Sequence, residues 1–569
     1  MRSAKFLHPL LATAVPAILT ASIGCSESAT VTSPRSDSVA IEWWQRGIVY
    51  QIYPRSFQDT DGNGVGDLTG IAARLDYLKW LGVDAIWISP IYPSPMADFG
   101  YDVSDYTNIH PVFGQLPDFD KLLAAAHARG LRVILDFVPN HTSDQHPWFI
   151  ESKRSRTSPK RDWYIWRDPG AAGGPPNNWV AVFGGLAWEW DQSSGQYYYH
   201  AFLKEQPDLN WRNPDVRKAM FDVLDFWLGR GVDGFRVDVI ENLLEDEQLR
   251  DNPANPDFRP GMLPGSALSW VHSEDQPDNH DVVRGMRRVV DARPEKVLIG
   301  EVWGPISRLV AYYGANCDEA HLPFNFQLIF APWDAGRLAD LIQRYEESLP
   351  TCGWPNWVLG NHDQHRMASR LGQAQARVAA MLLLTLRGTP TLYYGDELGM
   401  PDAVVPLDRV QDPLEKQQPG HGLGRDPERS PMPWDSNQSA GFTRAEAWLP
   451  LVADWRNLNV EVQRNNPASM LSLYRRLIAL RREAPALAVG EYVGLPVQGT
   501  VLAYVRRHAG HPSYAVALNL GPAPAQFSTD RVDVDGHIVI GTNSTRDGER
   551  VTGMVRLSGN EGIVIQLTD

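Results

Sequence analysis

Val232-Asp233-Gly234-Phe235-Arg236-Val237-Asp238-Val239 is a short apolar run that ends on charge. A strand buried on both faces reads this way, and in a parallel sheet the polar groups gather just past its C-terminal end. Working outward, similar runs lie at 47–55, 83–92, 131–138, 297–302, 321–326, 356–360 and 389–394, with helical patterns between them. Eight such βα units predict an α/β fold, a closed (β/α)8 TIM barrel. About ninety residues separate the third and fourth runs and include Trp163, Trp166, Trp179, Trp188 and Trp190, which implies an inserted lobe. Residues 401–465, rich in Pro, Gly and charge, form a long excursion after the eighth run. Asn466-Pro467 then predicts the start of a last helix, with Pro at its first position. Met470, Leu473, Tyr474, Leu477, Ile478 and Arg481 carry its period, and Pro485 closes it. Beyond about residue 490 the period drops to two, with strands expected at 501–505, 514–520, 537–540 and 563–567 in an all-β sandwich. The expected domains are a barrel over 43–141 and 208–486, an inserted domain over 142–207 and a sandwich over 487–569.

The 569 residues are 43% apolar, enough for a large core. Lys and Arg total 53 against 68 Asp and Glu, a formal charge of -15, which disfavours nucleic acid and fits a neutral or small substrate. Residues 1–25 resemble an export signal: Arg2 and Lys5 precede an apolar run that is too short for a membrane span. The run ends at Ala21-Ser22-Ile23-Gly24-Cys25, an imperfect lipoprotein box, so Cys25 is a candidate lipid anchor; the alternative is a cleaved signal with Cys25 near the cut. Residues 26–42 read as a flexible linker. An exported monomer is expected, periplasmic or anchored to the outer membrane as a lipoprotein.

Five strand ends carry polar clusters: Asp98 with Gly100-Tyr101-Asp102 after the second, Asp136-Phe137-Val138-Pro139-Asn140-His141, Gly234-Phe235-Arg236-Val237-Asp238, Ile299-Gly300-Glu301-Val302-Trp303 and Gly360-Asn361-His362-Asp363. One such charge is explained by a structural ion pair. Three acids facing one barrel mouth raise each other's pKa, and chemistry that needs one ionised and one protonated carboxyl exploits that conflict.

DFVPNH, GFRVD, GEV and NHD, in this order, resemble the conserved regions of the α-amylase family of glycoside hydrolases. Gln206-Pro207-Asp208-Leu209-Asn210 resembles the hallmark of its oligo-1,6-glucosidase and α-glucosidase branch, as do RDWYIW, PNNW and GRDPERSPMPWD. The resemblance implies a retaining α-glucosidase acting on oligosaccharides. Asp238 would be the nucleophile, Glu301 the general acid and then base, and Asp363 the stabiliser of the transition state. Retaining hydrolysis needs two carboxyls about 5–5.5 Å apart, which adjacent strands can deliver. Arg236, on the same strand face as Asp238, is expected to keep it ionised, and the surroundings of Glu301 to keep that acid protonated. By the same mapping His141 and His362 contact sugar hydroxyls, Asp98 and Arg429 close the pocket, Tyr101 stacks beneath the sugar, and Phe183 and Phe202 are weaker candidates for its apolar wall. The family often has Pro after His-Asp-Gln, whereas His365 follows Gln364 here.

Asp59, Asp61, Asn63 and Asp67 place oxygens at intervals between glycines, as in the start of an EF-hand loop but without its distal Glu. The resemblance implies a structural calcium or magnesium held by these four side chains and the Val65 carbonyl, and no organic cofactor. A transglycosidase or sugar isomerase on the same scaffold is the alternative activity; a non-catalytic relative would have lost the acids. Cys317 and Cys352 precede the sixth and seventh runs, which puts both at the bottom of the barrel on neighbouring units, either as a disulfide or as two buried thiols. Val239, directly after Asp238, resembles the residue associated with tolerance of α-1,6 links.

Overall fold

The computed structural model describes residues 41–259, 262, 264–528 and 534–568. The signal segment, Cys25 and nearly all of the expected linker lie outside them. Eight strands run parallel in one sheet: β1 Val49–Ile52, β2 Ala85–Ile88, β3 Arg132–Phe137, β4 Gly234–Val237, β5 Val297–Gly300, β6 Leu322–Pro323, β7 Asn356–Val358 and β8 Thr389–Tyr393. Their order is β7-β8-β1-β2-β3-β4-β5-β6, and a parallel bridge between Asn325 and Trp357 closes the seam between β6 and β7. Every strand falls inside its expected run.

Side chains alternate across each strand. Val49, Ala85, Trp87, Ile134, Val297, Ile299, Leu322, Phe324 and Val358 fill the barrel interior as one cluster. Their neighbours Tyr50, Ile86, Ile88, Val133, Leu135, Phe235 and Val237 face outward into the helix layer. The helices carry their own boundary signals. Helix α1, Pro214–Arg230, is capped by the Asn213 side chain accepting from the Asp215 amide, with Pro at its first position and left-handed Gly231 after its end. It buries Val216, Met220, Val223, Leu224, Trp227 and Leu228, a stripe at helical spacing.

The expected last helix is displaced at its start. It spans α2, Met470–Glu483, and its cap is Ser469, which accepts from the Ser472 amide. The Asn466 and Pro467 that marked the start lie in the preceding turn, where the Asn466 side chain accepts from the Ala468 amide. All six residues that carried its period are buried. The inserted lobe holds a three-stranded antiparallel sheet of Trp166–Arg167, Gln196–Tyr199 and Trp188–Asp191, with Trp179, Trp188 and Tyr199 packed in its core. The C-terminal strands form a six-stranded antiparallel sheet and a two-stranded one, Ala525–Phe527 with Val555–Leu557. No helix among the described residues is long and apolar enough to cross a membrane.

Cys317 and Cys352 form a disulfide with Cα atoms 6.2 Å apart, which settles the alternative left open above. It ties together the segments that lead into β6 and β7, the two strands joined by only a single bridge. Closing a loop of 35 residues removes unfolded-chain entropy worth about 4 kcal/mol. The double variant Cys317→Ser/Cys352→Ser should melt about 3–6 °C below the oxidised wild type in calorimetry. Equal melting temperatures would mean that the bridge adds nothing to stability.

Candidate active site

The strand register brings the acids together. Strand β3 pairs with β4 through Asp136 opposite Arg236, and β4 pairs with β5 through Val237 opposite Gly300. Asp238 and Glu301 each follow the last paired residue, so they leave neighbouring strands side by side. Their amides continue the ladder: Asp238 N donates to Phe137 O at 2.8 Å and Glu301 N to Val237 O at 2.9 Å. Close strand approach requires Gly234, since a Cβ there would lie 2.2 Å from the Val297 carbonyl oxygen.

Arg236 is fully buried and serves three acids. Its Nη1 donates to Asp136 Oδ1 and to Asp238 Oδ1, both at 2.7 Å, and its Nη2 donates to Glu301 Oε2 at 2.5 Å. Asp136 also accepts from Trp87 Nε1 and the Tyr101 hydroxyl. Glu301 is fixed on both oxygens, by the Val239 amide on Oε2 at 3.0 Å and by Trp303 Nε1 on Oε1 at 2.9 Å. Val239 reaches that position with φ of 34°, an uncommon conformation for a β-branched residue, and it is itself buried.

One guanidinium does not neutralise three carboxylates. Burial pushes Asp238 well up; Arg236 opposes this, and Glu301 and Asp136 reinforce it. Burial likewise pushes Asp136 up to about 6 despite Arg236. The expected ion pair between Arg236 and Asp238 is therefore present, but it does not outweigh burial. Asp136 and Asp238 therefore do not titrate independently of each other.

Asp363 sits in the opposite environment. Burial pushes it up, but His362 at 3.3 Å and the guanidiniums of Arg429, Arg425 and Arg236 overcome this and hold it far below the carboxylate range. Arg429 donates to Asp363 Oδ1 at 2.9 Å and to the His362 carbonyl at 2.7 Å. Asp98 accepts from Arg425 at 2.6 Å, and the same guanidinium holds Asp412 at 2.6 Å and reaches Asp363 at 3.3 Å. Asp98 is pushed up to about 6 by burial, against the pull of Arg425. Arg425 and Asp412 were missed, although Arg425 lies in the quoted string GRDPERSPMPWD. Asp136 and Trp303 were likewise quoted at their strand ends but given no role.

The aromatic and histidine candidates surround this polar floor. The rings of Tyr101 and His362 are stacked nearly parallel, 8° apart, with the Tyr101 hydroxyl 2.6 Å from His362 Nε2. Gln51 Nε2 approaches the other ring nitrogen at 2.8 Å. His141 is buried, with Asn140 Nδ2 on one nitrogen at 3.1 Å and Gln206 Nε2 on the other at 3.0 Å, and burial lowers its pKa to about 3. Both imidazoles are therefore neutral hydrogen-bonding groups. Phe202 lies against His141, and Phe183, in edge contact with Phe202, lies beneath the Arg425 guanidinium.

The metal-loop candidates gather elsewhere. Asp59, Asp61 and Asp67 each bring a carboxylate oxygen within 4.8 Å of the others. Asn63 Oδ1 instead accepts from the Val65 amide at 2.8 Å. Gly64, at φ of 89°, passes so close to residues 446–448 that a Cβ would lie 2.2 Å from the Glu446 carbonyl oxygen. The Thr443 hydroxyl bonds Asp59, which pins the loop to the same segment.

Residues 51–490 match the α-amylase catalytic-domain model. A probable α-glucosidase of Rhizobium meliloti is 43% identical over 84% of this chain and 89% of its own length. An oligo-1,6-glucosidase of Parageobacillus thermoglucosidasius is 38% identical, over 79% of this chain and 85% of its own. Among solved structures, an α-glucosyl transfer enzyme, XgtA, superposes with a TM-score of 0.88 at 41% identity, covering 93% of this chain and all of that one. Together with a closed barrel whose adjacent strand ends place Asp238 beside Glu301, these likenesses mean that the chain belongs to the α-amylase family, on the branch of the α-glucosidases and oligo-1,6-glucosidases.

Proposed function

We propose that this chain is a retaining, exo-acting α-glucosidase that releases terminal glucose from the non-reducing ends of short α-1,4- and α-1,6-linked oligosaccharides. The observation that carries the reading is one buried guanidinium bonded to both Asp238 and Glu301 at the ends of paired strands. Retaining hydrolysis needs one carboxyl of such a pair as proton donor and the other as nucleophile, and the two are held side by side here. Asp238 attacks the anomeric carbon as Glu301 protonates the departing glycosidic oxygen. The covalent glucosyl ester is then cleaved by water, which Glu301 deprotonates, so the anomeric configuration is retained. Asp363, kept ionised by its arginines, binds sugar hydroxyls and favours the positive charge of the transition state. The arch of Asp98, Arg425 and Asp363 closes the far side of the pocket, which favours cleavage at chain ends.

The likeness to a glucosyl transfer enzyme favours one second reading, in which a sugar acceptor competes with water for the glucosyl ester. Product analysis with maltose, isomaltose, sucrose and trehalose separates the two, since hydrolysis yields free glucose and transfer yields longer saccharides. Asp238→Asn and Glu301→Gln should each lower kcat at least a thousandfold while the fold survives, an order of effect typical for the loss of a central catalytic group. Proton NMR should show α-glucose first. Near wild-type turnover in either variant, or β-glucose first, would overturn the mechanism.

The loop at 59–67 is proposed to hold calcium or magnesium through Asp59, Asp61 and Asp67, with Asn63 and the Val65 carbonyl completing the oxygen shell. The bound ion would offset the mutual repulsion of the carboxylates and take no part in bond breaking. A site held at a hundredfold excess over Kd adds about 2.7 kcal/mol of stability. Chelation should therefore lower the melting temperature by several degrees in the wild type and leave Asp59→Asn unmoved. A melting curve insensitive to chelation, with no metal in elemental analysis, is the contrary result. The Cys317–Cys352 disulfide supports an exported, oxidising location for the chain, periplasmic or anchored through Cys25.

Val239 is proposed to tune linkage preference. Its amide holds the acid while its apolar side chain lines the wall next to the scissile bond, where no hydroxyl is offered to an α-1,4 partner. Hydrophobic contacts discriminate by about 1–3 kcal/mol, so preference rather than exclusion is expected. Val239→Thr should shift the ratio of kcat/KM for isomaltose to that for maltose toward maltose by about tenfold. An unmoved ratio would show that selection lies elsewhere.

A further inference from the structure

His365, Asp402 and Glu428 come from three separate loops and converge a short distance beyond Asp363. His365 Nδ1 lies 3.0 Å from Asp402 Oδ2 and 3.7 Å from Glu428 Oε2. One ligand atom from each of the three lies within 4.8 Å of the others. Glu428 is buried, and its Oε2 has no hydrogen-bond partner. The other ring nitrogen, Nε2, faces the Gly422 carbonyl at 3.4 Å, so a proton held there leaves Nδ1 able to act as a ligand toward the carboxylates. Nδ1 and the two carboxyls then face one another across a small gap that a proton or a metal ion can fill.

A proton on Nδ1 bonds Asp402 well but leaves the buried Glu428 oxygen without a donor, a costly arrangement. A divalent cation satisfies all three. Two metal–ligand bonds of about 2.0–2.1 Å at a tetrahedral angle hold their donor atoms about 3.3 Å apart, between the two distances observed. The outer contacts match as well. Asp402 Oδ1 accepts from the Arg366 amide at 2.8 Å, which orients its second oxygen toward the histidine. His365 is 46% exposed while Glu428 is 2% exposed, so the trio has a buried wall and a face open to water.

We propose that His365, Asp402 and Glu428 form a second metal site, distinct from the loop at 59–67, that takes a zinc-class divalent ion with water in its open position. The ion would tie together three loops that also carry the pocket: His365 follows His362 and Asp363, and Glu428 precedes Arg429.

The test uses the full, untagged chain, with calcium in excess to saturate the loop at 59–67. Equilibrium dialysis against zinc, with elemental analysis, should find one zinc per chain. His365→Gln and Glu428→Gln should each weaken that binding on the order of a hundredfold, since loss of even an outer-shell partner costs tenfold to a hundredfold. Asp59→Asn should retain it. Melting curves recorded without zinc confirm that each variant is folded, and zinc should raise the melting temperature of the wild type and of Asp59→Asn but not of His365→Gln or Glu428→Gln. Cobalt in place of zinc should give the visible absorption of a low-coordinate site, absent in His365→Gln. Zinc uptake that is unsaturable, or equal in wild type and His365→Gln, would overturn the proposal and leave a proton as the occupant.

Discussion

The whole site depends on a single buried guanidinium. Arg236 lies in a dry barrel mouth with Asp136, Asp238 and Glu301 around it, and none of the four charges could be there alone. Lysine could not replace it, because one ammonium point charge cannot reach three carboxyls from two ends of a planar fork. The backbone is shaped around this contact. Gly234 lets β4 lie close to β5, the register sets Asp136 opposite Arg236, and the strained turn at Val239 aims an amide at Glu301. Removing one partner from such a buried group typically costs 3–5 kcal/mol.

A contrast between two charge environments organises the chemistry. Around Arg236 acids outnumber cations, and burial pushes Asp238 and Asp136 up. Around Asp363 the balance reverses, because Arg425 and Arg429 both reach one carboxylate. One pocket thus holds carboxyls that tend to keep a proton beside one that cannot, without any difference in residue type. Burial alone removes the charge of His141, and burial reinforced by nearby arginines that of His362, which leaves polar rings that can exchange hydrogen bonds with hydroxyls.

The barrel was legible because its strands are short apolar runs between helical patterns, and the acids because they sit where five of those runs end in polar residues. The disulfide partners were legible for a related reason: both cysteines precede neighbouring strands, although position alone left free thiols as an alternative. What the sequence hid was pairing across loops. Asp98 and Arg425 are separated by 327 residues, and no local pattern links them, so Arg425 was not singled out beside Arg429. The helix start was missed because Asn-Pro is a strong local signal, yet Ser469 supplies a side-chain cap three residues later, where the packed face begins. His365 stood out only as a departure from a familiar pattern. Its carboxylate neighbours at 402 and 428 became visible once the loops were folded together.

The arch of Asp98, Arg425 and Asp363 has a consequence for how a polymer would be consumed. In the proposed reading the arch shuts the pocket on one side, so a threaded chain has no exit and a terminus is what enters. The quantity that sets the speed is then the number of ends in solution and not the mass of glucan. A branched glucan with many tips would be consumed faster than a linear one of equal weight, and a long linear chain would keep its viscosity while glucose accumulated around it.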